Sequence, residues 1–282
     1  MFNCFFFPFF LVLIRFKKIV YQVILERKEE RGEVFSVFIL EVIFMYPMQS
    51  KVPAYDKAST MFSPEGRLYQ VEYASKIVEQ GTTGVGVLYK DGVVLAADKN
   101  IQGKLVLPDS IEKIFKVDEH VGVLSAGLVG DARRLVGIAR KQAQENKVVY
   151  AEPIQTEVMA KEIAETKQAF TQYGGLRPFG VAFIIGGFDE KGPALFETEP
   201  SGALAQYRAV AVGRNKDKAM DLFEKEFKEG LTIDKAITLA YKALEKSMPE
   251  KEKVSIERIE FAIIDAKGFR FLSEQETKQL FK

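Results

Sequence analysis

Apolar and polar positions along the chain change period several times, and each change marks an element. Residues 64–79 carry Leu68, Val71, Ser75 and Val78 on one face at helical spacing. Ser63 precedes them as an N-cap, Pro64 fits a first turn, and Gly81 stops the helix. From Thr82 the period shortens. Apolar runs at 82–89 and 93–97 flank Asp91-Gly92, a hairpin signal, and runs at 114–117 and 121–125 pair around Asp118-Glu119-His120. Helical spacing returns at 129–145, with Ala132, Leu135, Val136 and Ala139 together, and at 154–171, with Met159, Ile163 and Phe170 together. Strands are expected at 181–187, 194–199 and 204–212, and helices at 216–228 and 233–248. The last strands, 258–265 and 269–272, turn at Ala266-Lys267-Gly268, and Ser273-Glu274-Gln275-Glu276 reads as a capping box opening a terminal helix.

The resulting order is helix, hairpins, helix pair, hairpins, helix pair, hairpin, helix. Antiparallel hairpins with helices gathered in pairs predict an α+β fold of layers rather than a doubly wound sheet. Two sheets packed face to face, each covered by helices, use all these pieces. No repeat or low-complexity linker interrupts residues 48–282, which read as one domain. Its first stretch, 48–60, is polar and without periodicity, as expected of a flexible tail.

Residues 1–47 break the pattern. They hold ten of the 23 phenylalanines and the single cysteine, Cys4. The apolar run 2–14 is shorter than a membrane-spanning helix needs, and Arg15, Lys17 and Lys18 follow it where a signal peptide wants them in front. The segment reads as an artefactual upstream extension, with Met48 the start of the domain. A targeting or membrane segment and an added structural element are the competing readings.

Charge and composition narrow the function. Forty basic residues against 39 acidic ones give no electrostatic case for nucleic acid or an anionic membrane. One cysteine forms no internal disulfide, which suits a reducing compartment. One histidine excludes multi-histidine metal sites, so neither a metal nor a cofactor is expected. His120 lies in a charged turn and reads as a solvated surface residue. Ser110-Ile111-Glu112-Lys113 fits S-x-x-K but lacks its companion motifs, so serine acyl chemistry has no support.

Gly81-Thr82-Thr83 is the more telling group. A threonine exposed by cutting a Gly-Thr bond becomes a nucleophile with its own α-amine as base. Asp98 lies 16 residues and Lys113 31 residues beyond Thr82, intervals similar to those of the active set of catalytic β-type proteasome subunits. A catalytic threonine protease released by cleavage before Thr82 is therefore one reading. Against it, the residues before Thr82 contain a capped helix and do not resemble a disposable propeptide, so an inert Thr82 is expected.

Tyr55-Asp56, then Phe62-Ser63-Pro64-Glu65-Gly66-Arg67-Leu68, then Gln70-Val71-Glu72-Tyr73-Ala74 resembles the N-terminal signature of proteasome α-type subunits. The likeness continues through Asp98-Lys99, Ser110 to Ile114, Ser125-Ala126-Gly127-Leu128, Asp131-Ala132-Arg133 and Tyr173 to Gly180. It covers 48–282, leaves 1–47 unmatched, and is closest in detail to archaeal α subunits.

The resemblance implies an N-terminal-nucleophile hydrolase sandwich, a four-layer αββα arrangement of two antiparallel sheets flanked by helices. It implies a non-catalytic, cytoplasmic subunit of the proteasome core particle. Its partners would be other α subunits in a seven-membered ring, β subunits carrying the catalytic threonines, a hexameric ATPase activator docking by its C-termini, and unfolded protein substrates. The tail would form a gate, held open by Tyr55, Asp56, Pro64 and Tyr73 between neighbouring subunits. Lys113 would pair with an activator's terminal carboxylate in a pocket rimmed by Gly127 and Leu128, and Tyr173, Gly174 and Gly175 would narrow the substrate port.

Overall fold

The computed structural model describes residues 54–100, 103, 105–107, 110–249 and 256–281. The expectations for residues 1–47, for a start at Met48 and for 48–53 of the tail lie outside these residues. Among the described residues ten strands form two five-stranded sheets, in the orders Gly268–Phe271, Ile259–Asp265, Gly92–Asp98, Gly84–Tyr89, Ala209–Val212 and Ile114–Asp118, Val121–Gly127, Val181–Asp189, Gly192–Thr198, Leu204–Gln206, with antiparallel pairing throughout.

The first sheet comprises β1 (Gly84–Tyr89), β2 (Gly92–Asp98), β8 (Ala209–Val212), β9 (Ile259–Asp265) and β10 (Gly268–Phe271). The second comprises β3 (Ile114–Asp118), β4 (Val121–Gly127), β5 (Val181–Asp189), β6 (Gly192–Thr198) and β7 (Leu204–Gln206). Successive side chains on a strand point to opposite faces, so a strand buried on both sides reads as a continuous apolar run. In β2, Val93, Leu95 and Ala97 face the other sheet, where they meet Leu124, Ile184 and Leu195. Val94 and Ala96 face outward with Phe261 and Ile263, under α4 (Lys216–Glu226) and α5 (Ile233–Ser247). On the far side Phe183 and Ile185 of β5 pack under α2 (Val129–Tyr150) and α3 (Thr156–Gln172). The layers are thus helix, sheet, sheet, helix, the expected αββα sandwich. Ser273 caps α6 (Glu274–Leu280) reciprocally with Glu276, so the predicted capping box is present.

Three expectations change. The first helix, α1, spans Tyr69–Gln80 rather than 64–79. Gly66 has φ +76°, outside the helical region, so Ser63 to Arg67 close a turn. Ser63 caps that turn instead: its Oγ accepts from the Arg67 N–H at 3.1 Å. The run 204–212 is two strands, not one. At Tyr207-Arg208 the chain leaves the second sheet and enters the first, with the Tyr207 N–H bonded to the Leu195 carbonyl at 2.9 Å. Gly92 does not serve the turn, since Tyr89 pairs with it across the hairpin. A Cβ there would meet the Ile264 carbonyl oxygen at 2.3 Å, so the glycine is required by β9 alongside.

Candidate functional site

Helix α1 ends at Gly81, whose carbonyl accepts from the Arg214 N–H at 2.8 Å, and the chain passes directly into Thr82. The Thr82 amine is therefore a peptide nitrogen. Its hydroxyl donates to the Asp98 carbonyl oxygen at 2.7 Å. Lys113 donates to the same hydroxyl and, at 2.8 Å, to the Thr82 carbonyl oxygen. Thr82, Asp98 and Lys113 are thus brought together, as their spacing suggested.

Their electrostatics are not those of a working triad. Both Asp98 carboxylate oxygens face Arg258, at 2.5 and 2.9 Å, and one also accepts from the Asn100 N–H at 3.0 Å. Sequence reasoning missed Arg258, because nothing local marks a residue 160 positions away. Lys113 is 8% exposed, not the partly exposed lysine a docking role suggested. Burial pushes its pKa down to about 8, opposed by Asp98 and reinforced by Arg214. The nucleophile lacks its base and its hydroxyl is already occupied on both sides.

Gly127 and Leu128 lie beside this group. A Cβ on Gly81 would stand 2.7 Å from the Gly127 nitrogen. Gly127 itself has φ +117°, and Leu128 is 39% exposed with its side chain against Gly180 and α1 close by. The Tyr173–Gly175 segment follows α3 as an exposed turn with Gly175 at φ +82°.

The four proposed gate residues are spread along the N-terminal approach. Tyr55 and Asp56 lie in a single 3-10 turn, Ala54–Asp56, and are half-buried. The Gln70 side-chain amide of α1 donates to the Asp56 carbonyl, fixing that turn to the helix. Pro64 is exposed in the Ser63 turn, and Tyr73 is exposed on α1, stacked on Tyr69 at 6.5 Å. Among the described residues no hydrogen bond or ring contact joins Tyr55, Pro64 and Tyr73 within one chain.

His120 is a correction. It is half-buried, with Nε2 2.7 Å from the Ile154 carbonyl oxygen, because its turn is covered by the α2–α3 connection. Among the described residues no group of three or more His, Cys, Asp or Glu side chains is arranged to hold a metal ion, and no helix is long and apolar enough to cross a membrane.

Comparison with known proteins adds independent findings. A family model described as proteasome subunit matches residues 78–264, and a second, described as the N-terminal signature of the A-type proteasome subunit, matches 55–76. The chain is similar to the proteasome alpha subunit of Methanopyrus kandleri, 46% identical over 235 residues, or 83% of this chain and 95% of that one. That of Methanothermobacter thermautotrophicus is 48% identical over 236 residues, 83% and 94% of the two chains. That of Methanocaldococcus jannaschii is 48% identical over 231 residues, 81% and 87%.

Proposed function

The chain belongs to the family of proteasome α subunits, and from that premise we propose that it is the non-catalytic, gate-forming subunit of the outer ring of the core particle. The observation that carries the first part is Thr82: its nitrogen is bound to Gly81 at the end of a packed helix, and its hydroxyl is held by Asp98 and Lys113. A threonine nucleophile needs a free amine within reach of its hydroxyl. The assembly partners are then further α subunits in a seven-membered ring and β subunits bearing the active threonines.

The gate reading assigns residues 48–60 to an axial plug, with Tyr55, Asp56, Pro64 and Tyr73 meeting a neighbouring subunit's copies to hold it open. Exposure of Pro64 and Tyr73 in the single chain supports this, since both are available to a neighbour. Tyr173, Gly174 and Gly175 narrow the port for unfolded chains. Docking of a hexameric ATPase falls to the surface beside Gly127 and the exposed Leu128. An ammonium has three N–H donors, and Thr82 takes two of those on Lys113, so one remains for a terminal carboxylate. The result is ATP-dependent protein degradation in the cytoplasm, with chemistry done by the β ring.

The test is reconstitution with β subunits. The chain alone should cleave no peptide, and particles lacking residues 48–60 should degrade unfolded protein faster without any ATPase. Equal rates for truncated and full-length rings would remove the gate. Peptidase activity of the isolated chain, lost in Thr82→Ala, would favour the protease reading instead.

A further inference from the structure

Two segments with different assigned tasks are fastened by one carboxylate. Asp131 stands in the first turn of α2, three residues beyond Leu128. Its Oδ1 accepts from Nη2 of Arg177 at 2.7 Å and its Oδ2 from Nη1 at 2.6 Å, a two-point fork. The same Oδ2 accepts from the Gly180 N–H at 2.9 Å. A further bond runs the other way, from the Leu128 N–H to the Gly180 carbonyl oxygen at 2.9 Å. Gly127 leaves no slack in this junction. A Cβ there would lie 2.2 Å from the Gly180 oxygen. The Arg177 hydrogen bond, foremost, and the Gly180 N–H hold the Asp131 carboxyl below its ordinary pKa.

We propose that the Asp131–Arg177 pair is a clamp that makes the rim segment 127–128 and the loop 173–180 one mechanical unit, with Asp131 the positioning residue for both. A planar guanidinium fork fixes orientation as well as distance, which a lysine ammonium does not. Fixation matters here because Gly174 and the left-handed Gly175 separate Arg177 from the end of α3 and leave the backbone there free to pivot. A partner seated against Leu128 and a substrate passing Tyr173 therefore act on the same rigid piece. The functional part of this inference rests on reading 173–175 as the port lining.

The experiment uses particles reconstituted with β subunits and carrying Arg177→Met, Arg177→Lys or, as a control, Lys161→Met, which breaks an exposed helix pair with Glu157. Arg177 is 61% exposed, so its variants should fold and assemble. Hydrogen exchange is read at the Leu128 and Gly180 amides, alongside hydrolysis of a reduced and alkylated protein and of a fluorogenic tripeptide. Exchange at both amides should rise at least about tenfold in both Arg177 variants and not in the control. Uptake of the unfolded protein should change while tripeptide hydrolysis does not. Wild-type exchange in Arg177→Met overturns the clamp. Faster exchange with unchanged uptake upholds the clamp and overturns the port reading on which its functional part rests.

Discussion

The Lys113 ammonium lies 2.8 Å from the carbonyl oxygen of Thr82 and also donates to the hydroxyl of that residue. The hydroxyl in turn donates to the Asp98 carbonyl, so the residue that would be a nucleophile is a structural link between three strand ends. Thr82→Ala should leave the peptidase activity of reconstituted particles unchanged. It should cost about 1 kcal/mol of stability per hydrogen bond lost, because the buried Lys113 keeps its charge with fewer acceptors. Fluorogenic hydrolysis and thermal melts check the two halves. A drop in hydrolysis with intact assembly would sink the inert-threonine reading.

Under the proposed function, docking should depend on pH through Lys113. Burial holds its pKa at about 8, so it is mostly charged at neutrality and loses its charge as pH rises through that value. Binding of a peptide ending in a free carboxylate should therefore weaken across one unit either side of about 8. Lys113→Met should bind roughly ten times more weakly at neutral pH, the worth of one charge-assisted bond, and show no such midpoint. Isothermal titration at a series of pH values decides it. An unchanged profile in the variant would move the docking site elsewhere.

The layers were legible in the sequence because strands buried on both faces read as continuous apolar runs, as β2 does from Gly92 to Ala97 and β5 from Val181 to Gly187. Thr82, Asp98 and Lys113 were legible because their intervals resemble those of the β-type active set. The switch of sheets at Tyr207-Arg208 was not, since an apolar run carries no mark of which sheet its pieces join. Nor was the late start of α1: Pro64 is as good in a turn as in a helix, and Gly66 decided between them. Arg258 and the Asp131–Arg177 fork depend on distant pairings. Lys167 did leave a signal. It continues the stripe of Met159 and Ile163 at helical spacing, so a lysine was due in the core.

That lysine gives a stability prediction. Lys167 is fully buried, donates to the Thr198 hydroxyl at 2.5 Å and carbonyl at 3.0 Å, and lies 4.7 Å from the centre of the Phe183 ring. Among the described residues it makes no ion pair, and burial pushes its pKa from 10.5 to about 7. Between these values the unfolded chain binds the extra proton, so folding becomes more favourable as pH rises from about 7 to about 10.5. Lys167→Met should raise stability by a few kcal/mol at neutral pH, an advantage that shrinks toward pH 10.5. Melts of both proteins across that window test the sign. A methionine variant less stable at every pH would mean that the Thr198 bonds outweigh the desolvation.

The anchoring of the tail yields the most discriminating prediction. The Ala54–Asp56 turn is tied to α1 by the Gln70 amide, which donates to the Asp56 carbonyl oxygen. Under the proposed function the residues of this turn hold the gate open, so the bond stabilises the open arrangement more than the closed one. Gln70→Ala removes one hydrogen bond worth about 1 kcal/mol, roughly a fivefold shift of the open–closed ratio in each subunit. Several subunits share one gate, so the shifts compound around the ring. Activator-stimulated hydrolysis of an unfolded protein should fall severalfold, while tripeptide hydrolysis, which needs little opening, should hold. The decisive control is the same substitution in particles lacking residues 48–53, which lose the outer part of the tail but keep the Asp56 carbonyl that Gln70 binds. With no outer tail to position, Gln70→Ala should then do nothing. If it lowers hydrolysis equally in both backgrounds, Gln70 acts on the fold of α1 and not on the gate.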